Sequence, residues 1–200
     1  MKKFLLLAIT VSVILSGCGA SKQVTSNKSK NPDGQLLENN PCVEYAMLKP
    51  RVRAYGDGMH FKEATATNIA EMQARGKFAR KIESAVLSAT EAVGVDMSKY
   101  AGDQTSGQYV TDQSAETNDL VTSIASQLIR NTAIVKVARF FTDNNQYKIY
   151  VCLEFVDGED AMMAQVEKAV KDKISPEDRA KIDARHDEFR NRIYSGMNAR

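Results

Sequence analysis

The sequence predicts an α+β fold: a small antiparallel sheet of three or four strands packed against two helices, with a helical C-terminal extension. Three observations carry this expectation. Lys62 to Val93 places apolar residues at three- and four-residue steps without interruption, the mark of one long helix with a buried face. Ala133–Thr142 and Tyr147–Val156 are β-branched, aromatic and alternating, and the Asp143-Asn144-Asn145 turn between them makes a hairpin. Beyond Asp157-Gly158 the spacing becomes helical again.

The 200 residues suit one domain or a domain with an appendage, and 43% hydrophobic residues are enough for a substantial core. The formal net charge is +2, but Lys2 and Lys3 lie in a segment expected to be removed, which leaves 25 of the 27 cations against 25 carboxylates. A neutral domain lacks the positive footprint that phosphate backbones select for, so nucleic acid is not an expected partner.

The chain starts with a basic Met1-Lys2-Lys3 and an apolar run from Phe4 to Leu15, broken only by Thr10 and Ser12. This reads as a signal peptide. It is short for a membrane-spanning helix, which needs about twenty residues. Leu15-Ser16-Gly17-Cys18 at its end resembles a bacterial lipobox. The resemblance implies removal of residues 1–17, a diacylglyceryl thioether on Cys18 and an N-acyl group. Several chains at about 0.8 kcal/mol per buried methylene would make the membrane attachment permanent. A plain secretory signal with an incidental cysteine, or a short uncleaved anchor, would not explain a cysteine at the cleavage position. Gly19, Ala20 and Ser21 follow, without the aspartate that usually retains such lipoproteins at the inner membrane. The expected location is therefore the outer membrane, facing the periplasm.

Residues 18–40 are rich in Ser, Asn, Lys, Gln and Gly and read as a flexible tether. Residues 41–157 form the expected α+β domain. A strand is expected over Arg51–Tyr55, after an irregular edge segment containing Pro50, with Gly56-Asp57-Gly58 as the turn that ends it. The long helix follows, its buried face formed by Ile69, Met72, Gly76, Ala79, Ile82, Val86, Ala89 and Val93, widened by Ala70, Ala74, Phe78 and Ala85, with Lys77, Arg80 and Lys81 among the outward charges. Gly94–Ser114 reads as a polar excursion and Ala115–Asn131 as a second helix. In the last strand, Tyr147, Ile149, Val151, Leu153 and Phe155 share the face expected against the helices, and the opposite face is expected partly wet.

The extension, 158–200, starts with a helix marked by Met162, Met163, Val166, Ala169, Val170 and Ile174. Ser175-Pro176-Glu177-Asp178 then has the order of a helix start, with serine at the N-cap, proline next and acids in the first turn. The last helix carries Ile182, His186, Phe189, Ile193 and Met197 on one narrow stripe, which either folds back on the domain or meets another chain. Ile182, Phe189 and Ile193 are the candidate partner contacts.

No residue pattern argues for catalysis. His60 and His186 lack a second ligand at metal spacing, and there is no Gly-x-Ser-x-Gly elbow, phosphate loop or calcium loop. No enzyme activity, metal or cofactor is expected. With Cys18 acylated, Cys42 and Cys152 remain, an even pair in an oxidising compartment. They either form a disulfide across the sheet or stay as two separate buried thiols. A bond would close a loop of about 110 residues, for which chain entropy gives about 4–5 kcal/mol.

Arg53-Ala54-Tyr55-Gly56, the spaced Ala64, Ala66, Ala70 and Ala74, and the run from Gly76 to Ile82 resemble the small outer-membrane lipoproteins of the Lpp-twenty type, over about Val52 to Val156. The resemblance implies a non-enzymatic envelope protein that binds other proteins or assembles with itself. The competing expectation is an exported small-ligand binder or hydrolase with residues 94–114 as a lid.

Overall fold

The computed structural model describes residues 40–100 and 113–198. The signal peptide, Cys18 and all of the tether except Asn40 lie outside the described residues, as does most of the expected lid. The elements in order are α1 (Pro41–Met47), β1 (Arg53–His60), α2 (Glu63–Ala92), a short 3-10 turn (Met97–Tyr100), α3 (Gln113–Ile129), β2 (Thr132–Phe141), β3 (Tyr147–Phe155), α4 (Gly158–Lys171), α5 (Pro176–Ala184) and α6 (His186–Asn198). The expected α+β class is the observed one. Among the described residues, no helix is long and apolar enough to cross a membrane.

The three strands form an antiparallel sheet in the order β1-β3-β2, with Tyr55 opposite Cys152 on one side and Val137 opposite Val151 on the other. β3 is central and covered on both faces. Ile149, Val151 and Leu153 pack with Ala66, Ala70 and Ala74 of α2, while Tyr150 and Cys152 on the other face pack with Cys42 and Ala46 of α1. The face expected to be partly wet is so: Tyr150 and Cys152 in its middle are buried, Lys148 and Glu154 are half-buried and Val156 at its end is exposed. Water also reaches β2, the edge strand, where Ile134, Val135, Phe140 and Phe141 are exposed and a bulge falls between Ile134 and Lys136.

Two expectations around β1 are corrected. The segment before it is a helical turn, started by Asn40, whose side chain accepts from the Cys42 N–H at 2.9 Å, with Pro41 at the first helical position. Gly56-Asp57-Gly58 does not end the strand but lies inside it. A Cβ on Gly56 would collide with the Ala70 carbonyl oxygen and the Ala74 N, and one on Gly58 would sit 2.7 Å from the Ala70 N. The glycines let the α2 backbone rest directly on β1. That seating sets the buried face of the helix's first half on Ala66, Ala70 and Ala74 and leaves Met72, expected inside, 67% exposed.

Past this contact, Phe78, Ile82, Val86 and Ala89 of α2 enter the main core with Val121, Ile124 and Leu128 of α3, Met162, Val166 and Val170 of α4, and Phe189, Ile193 and Met197 of α6. Residues 158–198 therefore share one compact unit with 41–157, and the expected extension is an integral part of the domain. Ser175 caps α5 as the sequence predicts, accepting from the Asp178 N–H at 3.2 Å. The last helix is broken at Arg185 into α5 and α6.

Candidate functional site

The long helix and the strand it rests on define a cleft. Lys77, Arg80, Lys81 and Ser84 recur at three- and four-residue steps, so they project from one side of α2. Opposite them stand Tyr55 of β1, Met47 at the end of α1 and Pro50 in the connection, with Gly196 of α6 at one end. The space enclosed is about 380 Å³. Arg80 also borders two further hollows, one towards Met72 and Gly76 and one towards Glu83, Leu87 and Val121 of α3.

The cations around the cleft divide into one that is neutralised and three that are not. Arg53 is buried and paired with Glu154 at 2.8 Å. Its guanidinium also donates to the Tyr45 carbonyl at 3.0 Å and lies 3.9 Å from the centre of the Tyr45 ring. Burial would raise the Glu154 pKa, but the hydrogen bonds from Arg53 and Lys49 outweigh it and hold the carboxyl below its ordinary range. Arg53 is thus a fixed, compensated wall. Lys77, Arg80 and Lys81 enter none of the ion pairs among the described residues. The Lys77 ammonium lies 4.4 Å from the Tyr55 ring centre. Lys81 donates to the Pro50 carbonyl at 3.2 Å, and burial pushes its pKa down. Among the described residues, no carboxylate lines the cleft. Its chemistry is that of a receptor for negative charge over a partly apolar floor.

The residues singled out from sequence lie elsewhere. Ile182, Phe189 and Ile193 are fully buried in the main core, so the stripe proposed as a partner contact is used up inside the chain. Cys42 and Cys152 share one small apolar cluster with Ala46 and Tyr150, yet both are free thiols. Of the two alternatives the sequence leaves open, this structure has the two thiols unbonded, and they meet through the packing of α1 on β3, not through strand pairing, since the strand neighbours of Cys152 are Tyr55 and Lys136. Burial raises the Cys42 pKa, and burial with the adjacent Cys42 pushes Cys152 up to about 12, so neither thiol is activated.

His60 Nδ1 accepts from the Lys62 N–H at 3.0 Å, and His186 Nε2 lies 3.2 Å from Glu167. Among the described residues there is no cluster of metal-ligating side chains.

In the sequence, Lys77, Arg80 and Lys81 look like ordinary solvent-facing charges. The available signal was that Lys77 and Lys81 have no acidic residue three or four positions away on either side, unlike Arg75, which pairs with Glu71. No protein-family model matches the chain, and no curated protein matches it either.

Proposed function

We propose that the chain is a lipid-anchored protein of the outer membrane, acylated on Cys18 and facing the periplasm, whose folded domain acts by binding and not by catalysis. The observation that carries this reading is Leu15-Ser16-Gly17-Cys18 at the end of an apolar run, ahead of a polar tether. The domain adds features of a binding protein. One is the cationic cleft; the other is the β2 edge with Ile134, Val135, Phe140 and Phe141 exposed. The alanine spacing shared with Lpp-twenty-type lipoproteins supports the same class. A ligand-binding role is favoured over a hydrolase because the described residues lining the cleft include no paired carboxylates and no histidine or cysteine for acid, base or nucleophilic work.

The test is metabolic labelling with a palmitate analogue in cells making the full chain, with membranes then separated by density. Label in the outer-membrane fraction that disappears in Cys18→Ala is the expected result. An unlabelled chain would overturn the anchor. Crosslinking in intact cells then reads out what the domain contacts.

A further inference from the structure

We infer that the cleft between α2 and the α1–β1 connection is a binding site for a phosphate group carried on a small organic body. Three cationic groups, Lys77, Arg80 and Lys81, border one space, and among the described residues none has a carboxylate partner. Other cations of the domain are engaged nearby: Arg51 with Glu159, Arg53 with Glu154 and Arg75 with Glu71. Compensation is the rule around the cleft, and this cluster departs from it.

A half-buried ammonium without a counter-charge costs free energy, which an anion entering the cleft offsets. The lysines and the arginine stand on successive turns of a single helix, so one multivalent oxyanion can meet all three. A phosphate dianion balances three cations better than a single carboxylate does, and guanidinium is a preferred phosphate partner. Met47, Pro50 and Ala54 supply an apolar floor beneath the charges, and Ser84 supplies a hydroxyl. Inorganic phosphate alone would leave that floor uncovered, whereas an attached organic group covers it.

The inference concerns the folded domain only and deepens the binding reading of its cleft; it stands or falls separately from acylation of Cys18, which the palmitate label reads. The experiment is calorimetric titration of the full chain in a non-ionic detergent with phenyl phosphate, dihexanoyl phosphatidic acid, inorganic phosphate and hexanoate. The expected result is that an organic phosphate binds more tightly than inorganic phosphate and hexanoate, and more weakly in high salt. Tighter binding of the phosphatidic acid assigns a lipid headgroup as the source, and tighter binding of phenyl phosphate a free organic phosphate; both support the site.

Arg80→Gln, at an exposed position that leaves the core intact, and Lys81→Met, which keeps the apolar stem, should each weaken binding about tenfold or more, the effect of losing a charged hydrogen bond. Lys173→Met, an exposed cation beyond α4, should bind as the parent does. No heat or saturation with either organic phosphate, equal affinity for hexanoate, or unchanged affinity in both cleft variants would overturn the assignment.

Discussion

Gly56 lies directly beneath the Ala70 carbonyl, with no room between strand and helix for even one carbon atom. Gly56→Ala should therefore force α2 off β1 and destabilise the protein by about 1–3 kcal/mol or more, the range of overpacked cores. Gly76, on the same helix, meets nothing closer than the Arg80 side chain at 3.6 Å, so Gly76→Ala should stabilise by about 0.5–1 kcal/mol through helix propensity. Urea denaturation of the two variants reads this difference in sign. A neutral Gly56→Ala would contradict the packing.

Phe189 is fully buried where α6 meets the main core. Phe189→Ala should cost about 3–5 kcal/mol. Ending the chain after Ile174 removes Ile182, Phe189, Ile193 and Met197 together, and the remainder should lose its cooperative thermal transition. A truncated chain that still melts cooperatively would restore α5 and α6 as an appendage free to meet a partner.

Cys42 and Cys152 should not react with a thiol reagent at pH 8 in the native, reduced protein, since both are buried and neither is a thiolate there. Denaturing the reduced protein should release two thiols. Rapid native labelling would contradict their burial. Protein recovered from an oxidising compartment and denatured without reductant reports separately whether the pair closes there: two thiols mean that the bond does not form, and none that it does.

Acid should destabilise the domain through carboxyls held below their ordinary range, among them those on β3, α4 and α5. Asp178 is held below its ordinary pKa by hydrogen bonds from Lys181 and from the Tyr100 hydroxyl, the latter at 2.5 Å. Burial opposes the depression at Glu154 and Glu167, but Arg53 and Lys49 outweigh it at the first and Lys171 and His186 at the second. A folded-state pKa below the unfolded one contributes stability that is complete above the unfolded value, about 3.9 for Asp and 4.3 for Glu, and is lost as pH falls through the folded value. Melting temperature should thus hold from neutrality to about pH 5 and fall below it. Asp178→Asn should show a shallower fall than the parent.

Much of the fold was legible because local chemistry and tertiary packing agree. The α2 periodicity, the Asn145 turn with its positive φ and the Ser175 cap each appear where the residues place them. The misreadings share one cause, contact between segments far apart in sequence. Gly56 and Gly58 look like a turn until Ala70 and Ala74 are seen against them, and the Phe189 stripe looks free until α2 is placed beneath it. The cleft was missed for the same reason. Lys81 resembles any surface lysine in sequence, and only the α1–β1 connection, with the Pro50 carbonyl, half-encloses it.

Gly196 and Met197 have a consequence for when the protein can fold. A Cβ on Gly196 would lie 2.7 Å from the Ala85 Cα, and Met197 is fully buried in the core that α2 begins. α2 thus waits for a segment about a hundred residues downstream before its core is closed. A ribosome or a translocation channel releasing the chain from its N-terminus would hold an open, threadable polypeptide until α6 emerges, and the domain would snap shut afterwards, on the side of the membrane where its last helix arrives.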